Sequence, residues 1–453
     1  MRKGPYLMAP RPGAITVMVE RDVPGPVTVR AWRVAPEGVA VGAPIEVRDT
    51  ASVSLHEVLV EGLASGVRYH YQVTGPGIAA AEGIFSTAPQ RAEPFRFLLY
   101  GDTRSRESSH AAIVAAMRRE GADFVVHTGD LLADGRVERQ WNDFFAIERD
   151  LLRNTVFIPV VGNHELRNSS RIGIENFRRY VNCPPPDAPR PELDYVVRFG
   201  NVQMVLANAY DDWSSAPMRT WLEEHLAQAR REGPDDFLLV VTHWGMHSSG
   251  PHGENRSLRA AGLPEMFRRY GVDLVVAGHD HVYERGEERG LRYIVTGGSG
   301  APLYSRRTQH NYTRVFAAQH HYVRVDADAE KLDLTAVRPP PPTRPPAAPA
   351  AANAPRRRGA RPRGAALAAR GPRRRAPPRG APHPRPPLPA DAVPRLPLRL
   401  PRRRVAQRVR LRAHRLRALR HGPRRAPLAP RLSPQGQGSV VSTTMVAAAE
   451  VAT

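Results

Sequence analysis

The sequence predicts an antiparallel β-sandwich, then an α/β domain, then a disordered basic tail. Three observations carry this. Short runs alternating apolar and polar residues fill about 4–90, longer apolar runs interleaved with helical patterns fill about 92–337, and the chain beyond Arg338 contains no Phe, Tyr or Trp. Alternation with period two marks strands with one buried face, whereas continuous apolar runs mark strands covered on both faces. A segment without aromatic residues cannot bury a core.

The first element rests on Ile15, Val17 and Val19, on Val27, Val29 and Ala31, and on Tyr69, Tyr71 and Val73, punctuated by Pro and Gly. This pattern suits a small sandwich of short strands. Its segment GLASGVRYHYQV (62–73), in which a turn feeds an aromatic strand, resembles a fibronectin type III module.

The second element rests on the runs FRFLLY, DFVVH, VFIPVV, VQMVLA, FLLVV, DLVVA and YIVT, with candidate helices over His110–Glu120 and Trp221–Arg231. Strands this apolar need covering layers on both faces, so the expected class is α/β.

The tail, 338–453, holds 27 Arg and 24 of the chain's 45 Pro against only Asp391 and Glu450. It carries +25 of a chain whose net charge is +22, leaving residues 1–337 at −3. The basic character therefore belongs to the tail, and the expectation is a mildly acidic folded part with no specific nucleic-acid partner. The chain uses 64 Arg but only Lys3 and Lys331. A GC-rich gene read in a shifted frame near Arg338 produces a tail of this composition, and that is the reading we favour for it.

At 453 residues the chain has room for two or three domains and needs neither a disulfide nor a metal merely to fold. Cys183 is the single cysteine, so internal disulfides and cysteine-rich zinc clusters are excluded. No run of about 18 apolar residues occurs, which predicts no membrane span. The start MRKGPYLMAPRPG breaks at Pro10, Pro12 and Gly13 before an export signal could form, so the expected location is cytoplasmic, or secreted or periplasmic if the start codon is misassigned. Oligomeric state is not readable from the sequence.

Five polar motifs stand where apolar runs end: Gly101-Asp102, Gly129-Asp130, GNHE (162–165), His243 and GHDH (278–281). Strand carboxyl ends in α/β sheets converge on one rim, so residues about 180 positions apart can meet there. Two Asp, one Asn and three His form an oxygen and nitrogen set suited to Zn, Mn or Fe. Six candidates exceed the needs of one ion and suffice for two bridged by a carboxylate, the arrangement that generates a hydroxide nucleophile and clamps attacking and leaving oxygens.

These blocks, GDT (101–103), GDLLADG (129–135), GNHE (162–165), TH (242–243) and GHDHVYER (278–285), resemble those of the calcineurin-like metallophosphoesterases. With an N-terminal sandwich beginning GPYLMAP, the chain is similar over about 4–337 to purple acid phosphatases and their bacterial relatives. The resemblance implies two central sheets flanked by helices, and two divalent or trivalent ions. It implies that Asp102, Asp130 and His281 hold the first ion, and that Asp130, Asn163, His243 and His279 hold the second. It makes His164 the histidine that stabilises the transition state or protonates the leaving oxygen, and His252 a substrate-contacting histidine. The implied activity is hydrolysis of small phosphate monoesters. Phosphodiester hydrolysis at the same site is the close alternative, and non-catalytic metal or phosphate binding by a degenerate first site is the other.

Two positions depart from the family pattern. Arg104 stands where the family often has a metal-binding His, and Ala133 where purple acid phosphatases have a metal-binding Tyr. The first site is thus short of one ligand, and a protein lacking that Tyr should not be purple. Arg104 is instead a candidate for substrate phosphate, whose oxygens its fork of donors matches.

Overall fold

Alternation within the strands decides the layering. The computed structural model describes residues 1–35, 37–90, 93–167, 170–183, 190–339 and 398–401. All of them fall within one compact unit, Met1–Arg402.

A seven-stranded sheet runs Tyr195–Phe199, Val202–Ala207, Phe237–Thr242, Leu274–Ala277, Leu291–Thr296, Tyr283–Glu288 and Thr313–Ala317 in spatial order. The four strands from Val202–Ala207 to Leu291–Thr296 are parallel neighbours. Its two faces are both apolar. Met204, Leu206, Leu239, Val241, Leu274 and Val276 join the main core. Their alternates Val205, Leu238, Val240 and Val275 pack with Trp221, Leu222 and Leu226 of helix Ala216–Glu232. Period two on a strand covered on both sides gives the continuous apolar run seen in the sequence.

The second sheet has nine strands. Phe95–Tyr100, Phe124–His127 and Val156–Pro159 lie parallel at its centre, with Tyr100 opposite His127 and His127 opposite Pro159. Phe95 and Phe124 meet Phe199 of the other sheet at ring distances of 5.1 and 4.9 Å, so the two sheets pack on one core. Helix Glu138–Leu152 adds Trp141, Phe144 and Phe145 to that core.

The sandwich expected over 4–90 contributes its strands in two groups. Ala40–Asp49, Val27–Val34, Arg68–Thr74 and Ala81–Ser86 form a four-stranded antiparallel sheet. Lys3–Arg11, Ala14–Glu20 and Leu55–Val60 instead extend the nine-stranded sheet, where Lys3–Arg11 pairs in parallel with Val156–Pro159, Leu7 opposite Val156. The boundary near residue 91 is therefore no seam in that sheet. The physical reason is legible in Lys3–Arg11 itself, which is buried along nearly its whole length and lacks the one-sided alternation of a sandwich surface strand.

The tail expectation falls mostly outside the described residues. Four of them correct it: Leu398–Pro401 forms an edge strand antiparallel to Lys331–Val337, with Leu400 buried opposite Leu332. The alternating leucines of LRLP supply one apolar face to an edge that was open, which is enough to add a short strand.

Candidate metal and phosphate site

The strand ends of both sheets deliver the predicted motifs to one place. Asp102 follows Phe95–Tyr100, Asp130 follows Phe124–His127, Asn163 opens helix Asn163–Leu166 after Val156–Pro159, His243 follows Phe237–Thr242, and His279 and His281 follow Leu274–Ala277. Three of these residues, Asp102, Asp130 and His279, hold left-handed backbone with φ of 57°, 56° and 70°. Such conformations cost non-glycine residues free energy and cluster where a site dictates the direction of a side chain. Gly162 must lack a side chain, because a Cβ there would lie 2.4 Å from Asp130 Oδ1.

Four lone-pair atoms converge. His243 Nε2 lies 3.0 Å from Asn163 Oδ1 and 3.3 Å from Asp130 Oδ1, and His279 Nδ1 lies 3.1 Å from Asn163 Oδ1 and 3.2 Å from His243 Nε2. His243 Nδ1 donates to the Thr128 carbonyl at 2.6 Å, which leaves Nε2 as the acceptor facing the cluster. Tyr210 donates its hydroxyl proton to Asn163 Oδ1 at 3.1 Å, fixing the amide with its oxygen inward. Nitrogen and oxygen donors bound to one ion at about 2.0–2.1 Å lie roughly 3.0–3.4 Å from one another, which is the spacing of these four pairs. The donor set therefore fits a metal ion.

The other half of the site is arranged differently. Asp102 Oδ1 is buried with no hydrogen-bond partner and lies 3.6 Å from His281 Nε2. His281 Nδ1 donates to the Pro302 carbonyl at 2.7 Å, so its Nε2 also faces inward as an acceptor. Arg104 closes the space, with Nε 3.0 Å from Asp130 Oδ2 and Nη2 3.2 Å from His281 Nε2. Asp102, Asp130 and His243 are close enough to share one ion.

Electrostatics keep the three histidines neutral and set the two aspartates apart. Burial pushes His279 down to about 2, with His243 and His252 adding to it, and burial with Arg104 pushes His281 down to about 4 against the Pro302 carbonyl. Burial also lowers His243. Burial and the neighbouring Asp130 raise Asp102 well above the carboxylate range. For Asp130 burial acts in the same direction, but His243, His164 and Arg104 outweigh it and hold the carboxyl below its ordinary value.

The remaining predicted residues line the mouth. His164 donates its backbone N–H to Asp130 Oδ1 at 3.0 Å, bonds the Ala133 carbonyl through Nδ1 at 2.6 Å, and holds Nε2 3.7 Å from Asp130 Oδ2. His252 is 38 % exposed, bonds Asp280 Oδ1 through Nδ1 at 2.9 Å and packs against His279 with ring centres 4.1 Å apart and the rings tilted by 41°. Arg104, expected to face substrate, is bonded to two of the proposed ligands instead, and it keeps a 15 % exposed edge.

Three contributors went unrecognised in the sequence. Glu165, the last residue of GNHE, accepts the backbone N–H groups of Asp130, Gly162 and Leu132 and so fixes the loop carrying Asp130. Tyr210 and Tyr304 are the others; Tyr304 stacks on His281 with ring centres 4.0 Å apart. Both tyrosines follow apolar strands, as the recognised motifs do, so the same strand-end criterion could have found them.

Two packed sheets whose parallel strand ends gather Asp, Asn and His define a metallophosphoesterase fold. Residues 95–283 match the calcineurin-like phosphoesterase family, and the chain carries that domain. Among curated relatives it is 29 % identical over 270 residues to a phosphoenolpyruvate phosphatase of Allium cepa, covering 56 % of this chain and 55 % of that one. It is 28 % identical over 266 residues to an Fe(3+)-Zn(2+) purple acid phosphatase of Arabidopsis thaliana, covering 55 % and 56 %. The chain thus spans about half the length of the curated relatives it matches. A purple acid phosphatase from yellow lupin (Lupinus luteus) seeds shares the fold with a TM-score of 0.63 at 19 % identity, over 74 % of this chain and 71 % of that one.

Proposed function

We propose that the chain is a metal-dependent phosphoester hydrolase of the acid-phosphatase type, acting on small phosphate monoesters. The observation that carries this is the cluster in which His243 lies 3.0–3.3 Å from Asn163, His279 and Asp130, and His279 3.1 Å from Asn163, beside the partly exposed His164 and His252.

An ion of the zinc, iron or manganese class held there supplies Lewis-acid polarisation of a phosphoryl oxygen and a nucleophilic oxygen at neutral pH. Asp130, Asn163, His243 and His279 hold it, and the Thr128 carbonyl and Tyr210 hydroxyl keep two of those ligands oriented. His164 presents Nε2 to the leaving group, because its Nδ1 is tied to Ala133. As the P–O bond breaks, the Nε2 proton passes to the departing alkoxide, which leaves as an alcohol, and the imidazole is reprotonated by water. His252 is oriented by buried Asp280 and offers its other ring nitrogen to a phosphate oxygen. Trp244 packs against His279 with ring centres 4.9 Å apart and walls the ion pocket from that side.

A panel of chromogenic phosphate monoesters and diesters, assayed on the full chain before and after chelation, tests this reading. Monoester turnover should exceed diester turnover and disappear with the metal. A preference for diesters would replace the monoesterase assignment, and turnover insensitive to chelation would remove the metal.

A further inference from the structure

We infer that Arg104 takes the place of the first metal ion, so that the chain holds one transition-metal ion and one fixed guanidinium where its relatives' pattern implies two ions. The inference rests on the reading of Asn163, His243, His279 and Asp130 as the metal site. It concerns what fills the other half.

The guanidinium occupies the donors that a first ion needs. Two atoms pointing into that half, Asp130 Oδ2 and His281 Nε2, each accept an N–H from Arg104, at 3.0 and 3.2 Å. His281 cannot turn its other nitrogen inward, because Nδ1 is committed to Pro302. Further contacts hold this arrangement in place. Tyr304 stacks on His281, one of the two acceptors, and Arg104 Nη1 lies 3.4 Å from Ser105 Oγ. The guanidinium therefore sits in a cradle built from Asp130, His281 and Ser105.

Charge and ligand count point the same way. The delocalised guanidinium is a fixed positive charge, and Arg104 places it on two atoms that a second cation would need. A divalent ion beside it would displace two charge-assisted hydrogen bonds and meet a like charge at short range. The half-site also has few ligands to offer in return: beyond the shared Asp130, Asp102 and His281 are the ones that face it among the described residues, and Ala133 stands where the family pattern supplies a tyrosine. A guanidinium there still does electrostatic work, since it pairs with Asp130 and keeps a partly exposed side chain that can meet phosphate charge.

Metal stoichiometry decides the matter without reference to activity. The full chain is loaded with Zn2+ or Mn2+, freed of excess ion and analysed for metal per chain. Wild type should hold one equivalent, and the Mn2+ form should show the electron paramagnetic resonance of an isolated ion. His281→Ala should still hold one. Arg104→His, which restores the residue the family often has, should hold two and show an exchange-coupled pair. Two equivalents in wild type, falling to one in His281→Ala, would overturn the inference while leaving the proposed function intact. No metal in wild type would overturn both. If Arg104→His does not fold, the wild-type and His281→Ala counts are sufficient.

Discussion

His164 reaches Asp130 through its backbone N–H, which an alanine would keep, and its ring is bonded to the Ala133 carbonyl. Replacing it should therefore separate chemistry from metal retention. We expect His164→Ala to lower kcat by about 10²–10⁴-fold, the range for loss of a general acid, with metal content unchanged. Joint loss of metal and turnover would make it a brace for Asp130. At this scale the sequence was informative where chemistry imposes a residue type: the six Asp, Asn and His side chains occupy strand ends in recognisable order, and the structure brings all six to one rim. It was silent where the partner is a backbone group or a ring. The carbonyls of Thr128, Ala133 and Pro302 orient three histidines, and no residue code specifies a carbonyl. Nor does an arginine two positions after a ligand reveal whether it turns toward substrate or back onto Asp130 and His281.

Among the elements, strand Lys3–Arg11 joins sheet and helices through a buried charge. Lys3 has no exposed side-chain surface and pairs with Glu20, which is equally buried, with Glu138 of helix Glu138–Leu152 and with Tyr180 of helix Arg171–Tyr180. Removing Lys3 leaves the buried Glu20 to the half-exposed Arg179, 3.1 Å away, so Lys3→Met should cost up to about 3–5 kcal/mol in chemical denaturation. The double variant Lys3→Met, Glu20→Gln should recover part of that loss. The sequence analysis begins a separate sandwich at GPYLMAP, inside this strand, because parallel pairing with Val156–Pro159 is a long-range event that no local pattern records. A second element-scale test concerns Glu288, at the end of strand Tyr283–Glu288. Burial alone would raise its carboxyl, but Arg259 and His247 hold it down at about 2. Because the folded value lies below the ordinary one, the stability gained is present above the ordinary glutamate range and is lost as pH falls toward 2. Thermal midpoints measured from pH 6 to pH 2.5 should fall less steeply for Glu288→Gln than for wild type. Parallel curves would mean that the cluster contributes nothing to acid stability.

For the whole molecule, charge and fold are separate properties. Residues 1–337 carry −3 and contain every candidate site residue, whereas 338–453 carry +25. Truncation after Val337 should leave small-substrate turnover nearly unchanged and abolish salt-sensitive retention on polyanionic resin, which counterion release by the arginines drives. It should also cost about 1.5–3 kcal/mol for the lost burial of Leu400 against Leu332. A truncated protein of unchanged stability would show that the edge strand Leu398–Pro401 adds nothing. No helix among the described residues is long and apolar enough to cross a membrane.

In the function proposed for this chain, metal held by residues from both sheets makes the fold a phosphoester hydrolase. The direct test is p-nitrophenyl phosphate hydrolysis by the full chain as isolated, after chelation, and after reloading with Zn2+, Mn2+ or Fe, beside Asp130→Ala. The expected result is loss of turnover on chelation and recovery on reloading in wild type, with neither turnover nor normal metal content in Asp130→Ala. Turnover that survives chelation, or an Asp130→Ala protein with full activity and full metal content, would contradict the account.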